Sequence, residues 1–359
     1  MRFHRVLLSL LIGALVIVPP AVSAQDATPA ADDIEIAYVV HVLNDFTSVI
    51  QKGAEDAGRD LGVTVEFTGS AAPQSDVQIP IFESFVQKGV DGIAVIPNPG
   101  DVWVTPINQA MEAGIPVVTV NITSPDSMSP LWIGPDQVTN GRALAEKLKE
   151  ALTEAGKSDG LIVLGSCGPG VSTVEERIAG FREGMADTAF ELSQAYDVTG
   201  ENTSNYSAWE SLATANPDAA AMVGFCSVDV PNMAPVKQRA GGEWIIAGWD
   251  LNVPTLDAIR DGSAVATIGD QPYYAGYMAV LALVQHLRDG KPMATGWLQI
   301  PSEVVTAENV DTVYGRESDP EQMTAYYAKY IPEVVPNLDI QAVIRGPIPG
   351  SEEAGTPTP

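Results

Sequence analysis

From residue 34 onward the chain repeats one pattern, a short apolar run, a turn and an amphipathic stretch, and this alternation restricts the fold more than any other feature. Apolar runs at 34–40, 63–67, 92–96, 116–120, 160–164, 191–198, 220–225, 244–247 and 264–268 read as strands. Stretches such as SVIQKGAEDAGRDLG and TVEERIAGFREGM read as helices between them, several stopping at a glycine. Near-continuous apolar strands alternating with helices imply parallel sheets covered on both faces, so the fold class is α/β. The series restarts at DGLIVLG after a long helix from Gly141. Two doubly wound lobes are therefore expected, with a single barrel as the alternative. With 359 residues and 45% hydrophobic composition, the chain has enough apolar material for two domains.

The N-terminus predicts the compartment. Met1 to Arg5 is basic, 6–18 is apolar, and Val22-Ser23-Ala24 resembles a small-residue cleavage site, so 1–24 reads as a cleaved signal peptide. No cysteine lies near that site to carry a lipid, and the apolar run is shorter than a spanning helix. The expectation is a soluble exported protein, periplasmic or otherwise extracytoplasmic. The formal charge of −27 becomes more negative once Arg2 and Arg5 are lost, which disfavours nucleic acid and anionic lipid as partners. Residues 25–33 and 346–359, rich in Pro, Ala, Thr and acid, read as a disordered linker and tail.

Signatures of catalysis are missing. There is no HExxH, GxSxG or CxxC, and of the three histidines His4 leaves with the leader, His286 sits within a helical stretch and His41 alone follows a strand. The loop GSCGPGVSTVEER (165–177) has Gly168-x-Gly170 but Thr173 where a dinucleotide fingerprint needs a third glycine. It is read as a helix N-terminus facing a polar ligand, and neither cofactor nor metal is expected. Cys167 and Cys226, each just past a strand, are the only cysteines. In an exported protein such a pair points to a disulfide, and the first and third strands of a doubly wound sheet are neighbours.

Polar residues cluster where strands end. Asn44, Asp45 and Phe46 follow the first strand, and Asn121, Cys226, Trp249, Asp250 and Asp270 follow later ones, with Arg177 one to two turns into the helix after the Gly-rich loop. Singly each could be a cap or a solvated turn. Together they suit a neutral polyhydroxy ligand, whose apolar faces pack on rings and whose hydroxyls need paired donors and acceptors.

The stretches VLNDFTSVIQKGAEDAGRDLG, QKGVDGIAVIPNPGD, INQAMEAGIPVVTVN, VEERIAGFREGM, IAGWD and GSAVATIGDQPYYAGYMAVLAL resemble, in this order, the periplasmic sugar-binding proteins of ABC importers, in the ribose- and galactose-binding type I class. The resemblance implies two lobes joined by three crossings: 34–136 with 270–300 as the N-terminal lobe, and 137–269 with 301–345 as the C-terminal lobe. It implies a monomer, not an enzyme, that captures a sugar or polyol and delivers it to a permease, or in a variant role docks on a signalling partner. It further implies that Asn44 and Phe46 contact sugar, that Arg177 donates to its oxygens, and that Trp249 stacks on it while Asp250 accepts from its hydroxyls. Asn121, Cys226 and Asp270 depart from the ribose binders' usual aspartate, asparagine and glutamine. Asp270 in place of glutamine predicts an acceptor for extra hydroxyls or an amino group.

Overall fold

The computed structural model describes residues 34–334 together with Ile340, Ile344, Gly346 and Ile348. The expected signal peptide, the linker and all of the tail except Gly346 and Ile348 lie outside the described residues.

The first lobe is built from β1 (Glu35–Val40), α1 (Asp45–Leu61), β2 (Thr64–Gly69), α2 (Ser75–Lys88), β3 (Gly92–Val95), α3 (Val104–Glu112), β4 (Val117–Val120) and β5 (Leu131–Gly134). The second contains α4 (Gln137–Glu154), β6 (Asp159–Ser166), α5 (Ser172–Met185), β7 (Ala189–Asp197), α6 (Asn202–Ala215), β8 (Ala221–Gly224), α7 (Asp229–Ala240), β9 (Ile245–Trp249), α8 (Val253–Arg260) and β10 (Ala266–Asp270). The chain continues through α9 (Pro272–Leu287), β11 (Gly296–Gln299), β12 (Ser302–Thr306), α10 (Val310–Glu317) and α11 (Pro320–Val334).

Each lobe has one six-stranded sheet, ordered β11-β5-β4-β3-β1-β2 and β12-β10-β9-β8-β6-β7. All pairings are parallel except β10 with β12. The inner strands β3, β4, β8 and β9 are buried at every residue, whereas β2 and β7 at the sheet edges mix exposed with half-buried positions. This is why the inner strands read as unbroken apolar runs. In both lobes the strand order reverses beside the first strand, β1 or β6, and such a switch point opens a crevice at the carboxyl ends of the strands.

The chain passes between the sheets from β5 to α4, from β10 to α9, which packs on α1, and from β11 to β12. Two bonds tie these passages together: Gln271 N donates to Pro301 O (3.2 Å) and Ile300 N to Gly134 O (3.1 Å). The strands β5, β11 and β12 are not expected from the sequence pattern. Each has four or five residues, and β5 and β11 pair in parallel with Trp132 opposite Trp297, their rings stacked with centroids 5.2 Å apart.

The assignment of 301–345 to the C-terminal lobe needs correction. Helix α10 does pack on α8, and Val310 and Val313 belong to a second-lobe core. Then the chain crosses a fourth time. Met323 and Tyr327 of α11 and Ile340 join the core around α1 and α9 in the first lobe. Gly346, expected in the disordered tail, accepts a 2.8 Å bond from Trp297 N at the edge of the first sheet. Helix α11 was not among the helical stretches read from the sequence, and its partner lobe is set by contacts distant along the chain.

Candidate functional site

The carboxyl ends of the two sheets face each other across a cavity of about 150 Å³. His41, Asn44, Phe46, Asn98 and Asn121 line it from the first lobe, and Cys167, Gly168, Thr173, Arg177, Cys226 and Asp250 from the second. Strand–turn–helix geometry explains the set, since each residue lies just past a strand or in the opening turns of the helix that follows.

Two of these residues have unusual backbones. Asn121 after β4 has φ 60° and Asp250 after β9 has φ 75°, in the left-handed region that non-glycine residues seldom occupy. Both are held by the neighbouring strand, as Asn121 N donates to Ile133 O (2.8 Å) and Asp250 N to Ile268 O (2.7 Å). β4 and β9 hold matching places in the two sheets, so each lobe presents one such residue to the cavity. Left-handed residues of this kind concentrate where side chains are aimed at ligands.

Asp250 is 8% exposed, and no described residue donates to its carboxylate. Burial pushes its carboxyl up to about 7, against the pull of the Arg177 guanidinium and with the help of Asp270 and Asp229. His41 is the opposite case. Burial lowers its imidazole to about 4, and its Nδ1 has no partner in the described residues, so it faces the cavity as a neutral acceptor or donor.

Arg177 is positioned by close helix packing. A Cβ on Gly141 of α4 would lie 2.2 Å from Arg177 O, and one on Gly180 of α5 would lie 2.0 Å from Val138 O. The two helices can touch backbone to backbone only because both positions are glycine. Arg177 then donates from Nε to Gln137 Oε1 (3.0 Å), from Nη1 to Phe225 O (2.8 Å) and from Nη2 to Asp270 Oδ2 (2.9 Å). Three of its five N–H groups are thereby engaged, leaving two for the cavity it lines.

Asp270 does not present a free acceptor, contrary to the expectation from its position. Its Oδ2 accepts from Arg177, from Gln137 Nε2 (3.1 Å) and from Trp249 Nε1 (3.3 Å), and its Oδ1 from Asn140 Nδ2 (3.0 Å) and Ser302 Oγ (3.0 Å). Five donors saturate the carboxylate. They come from α4, α5, β9 and β12, so Asp270 joins elements around the interlobe passages. Trp249 departs from expectation too. It is fully buried and is not among the residues lining this cavity, and its ring lies beneath Arg177, whose Cζ is 4.4 Å from the ring centroid. The indole is the floor of the guanidinium, because Trp249 is the last residue of β9 and its side chain joins the second-lobe core.

Asn44 caps α1, accepting from Thr47 N (3.1 Å) in a reciprocal capping box, so its Oδ1 is committed while its amide nitrogen is not. Asp45 is exposed on the first turn and lines a neighbouring chamber. Cys226 is bonded to Cys167, with Cα atoms 6.1 Å apart, so both line the cavity as a disulfide and neither carries a thiol. Asp229 holds this corner: it accepts from Cys226 N (2.9 Å), Asn205 Nδ2 (2.8 Å) and Trp209 Nε1 (3.0 Å), and burial raises its carboxyl to about 6. Asn98 was missed in the sequence reading, though it obeys the same rule of a polar residue just past a strand.

The arrangement joins one unpaired carboxylate, a part-used guanidinium, three amides, a neutral imidazole and the Phe46 ring around a small space. Such a set matches alternating hydroxyl donors and acceptors on an uncharged ligand better than it matches an ion.

The profile of the periplasmic binding protein domain family matches residues 36–292. The ribose import binding protein RbsB of Bacillus subtilis is 24% identical over 278 residues, which is 77% of this chain and 89% of that protein. The xylose/arabinose-binding protein XylF of Sulfolobus acidocaldarius is 26% identical, over 70% of this chain and 66% of that protein. Among solved structures, an ABC transporter solute-binding protein from Burkholderia graminis in complex with D-arabinose superposes with a TM-score of 0.74 at 25% identity, over 78% of this chain and 98% of its own.

Proposed function

We propose a transport receptor: the chain belongs to the periplasmic binding protein domain family, and it captures a monosaccharide or polyol between its lobes and delivers it to an ABC transporter permease. The observation that carries this reading is the unpaired Asp250 carboxylate beside the part-used Arg177 guanidinium, ringed by the Asn44, Asn98 and Asn121 amides. Relatives that bear the names of ribose and of xylose and arabinose support the ligand class. A cavity of about 150 Å³ is below the roughly 300–1,000 Å³ of drug-sized sites, which favours a ligand as small as a single sugar ring. Export through a cleaved signal peptide without a lipid anchor, and action as a monomer that binds no nucleic acid, complete the proposal. The family's named relatives are transport receptors, and no catalytic role is assigned to this chain.

A thermal-shift screen over pentoses, hexoses and polyols tests the reading, because a ligand specific to the folded state raises the melting temperature by mass action. Isothermal titration of the best ligand should give a dissociation constant at least tenfold weaker for Asp250→Ala. A screen with no stabilising sugar or polyol would refute it.

A further inference from the structure

Beside the sugar-sized cavity lies a second interlobe chamber of about 480 Å³. The two share Phe46, Ser227 and Asp250 as lining residues. Its other walls differ in character. Val49 and Pro272 come from the first lobe, Leu251, Val253 and Pro254 from the second, and Pro320 and Met323 from α11. Polar side chains, among them Ser48, Lys52 and Glu317, supplement these apolar walls.

We propose that this chamber is a subsite for an apolar or aromatic substituent carried by the sugar, so that the preferred ligand is a glycoside rather than a free monosaccharide. The inference rests on the sugar-receptor reading and extends it. Asp250 stands at the junction, so a hydroxyl on the ring can be held from the small cavity while the substituent passes Phe46 into the larger chamber. Phe46 is half-buried, and its ring can pack on either the sugar or the substituent. The chamber is about three times the volume of the sugar cavity and largely apolar, which favours an aglycone over a second hydroxylated ring. Helix α11, which lies beyond the residues matched by the family profile, closes one side of it.

The test is calorimetric titration with three probes built on the sugar that gives the largest thermal shift: the free sugar, its methyl glycoside and its p-nitrophenyl glycoside, in both anomeric forms. One anomer of the p-nitrophenyl glycoside should bind at least tenfold tighter than the corresponding methyl glycoside. Val49→Trp and Val253→Trp, which fill the chamber from opposite lobes, should each remove that advantage and leave free-sugar affinity within about threefold. Circular dichroism confirms folding, and two fillers keep the test intact if one misfolds. Equal affinity of methyl and p-nitrophenyl glycosides, or an advantage that survives both fillers, overturns the subsite while leaving the sugar reading standing. Failure of every free sugar and glycoside to bind overturns both.

Discussion

Tyr327 stacks on Tyr273 with ring centroids 4.3 Å apart and planes 3° from parallel. Tyr273 opens α9 just after the passage from the second lobe, and Tyr327 belongs to the helix that makes the fourth crossing. The contact is backed by polar bonds, since Tyr273 Oη donates to Asp56 Oδ2 (2.7 Å) and Thr324 Oγ1 to the same oxygen (3.3 Å). On the other side of the crossing Arg316 pairs with Glu303 of β12 and lies 4.6 Å from the Tyr326 ring centroid. The C-terminal segment therefore braces both lobes beside the passages between them.

Removing that stack should cost stability. Tyr327 is 1% exposed, and truncating a buried aromatic costs about 3–5 kcal/mol. Tyr327→Ala is expected to lower unfolding free energy by that order in urea titration, whereas Tyr326→Ala, only half-buried, should cost less.

Asp250 should make both stability and binding depend on pH, in opposite senses. Its folded value of about 7 exceeds the ordinary 3.8, so between these values the folded state holds a proton that the unfolded chain has lost. Stability from this group therefore falls as pH rises through that window. Asp250→Asn should flatten the fall, giving a variant without ligand that is more stable than the parent at pH 8 by on the order of a few kcal/mol. Ligand hydroxyls favour the ionised carboxylate, so parent affinity for the sugar should weaken by about tenfold from pH 8 to pH 6. Thermal melts and titrations across that range, with the Asn variant as control, provide the measurement.

Arg177→Ala should act more broadly than on binding alone. It leaves the Asp270 carboxylate buried without its cation, and breaking a buried pair costs about 3–5 kcal/mol. Urea unfolding should show that loss in the absence of sugar. Asp250→Ala, whose carboxylate has no protein donor, should show none.

The Cys167–Cys226 bond closes a loop over a sequence separation of 59 residues. Intact-mass analysis without reductant should find no alkylatable thiol. Reduction should lower stability by about 2–4 kcal/mol, and since both cysteines are among the residues lining the cavity, it should also weaken binding.

The sequence by itself determined the elements and where polar residues would gather. Continuous apolar runs such as 92–95, alternating with amphipathic stretches, read as inner strands, and the chain must leave such a strand at its carboxyl end, so Asn44, Asn121, Arg177 and Asp250 were legible as one group facing a crevice. The spacing of Cys167 and Cys226 on neighbouring strands of a doubly wound sheet made their bond legible too. What only the tertiary structure decided is which of those polar groups remain free. Asp250 and Asp270 both end a strand with a carboxylate, yet Gln137, Asn140, Arg177, Trp249 and Ser302 converge on Asp270 and none of them on Asp250. Those donors lie 21 to 133 residues away along the chain and meet only when the second lobe folds. The same holds for Trp249, whose burial beneath Arg177 depends on helix contacts through Gly141 and Gly180, and for α11, whose apolar face is local but whose partner lobe is not. Periodicity reports what a segment will bury; the identity of its partner is a long-range choice, set by packing that no local pattern contains.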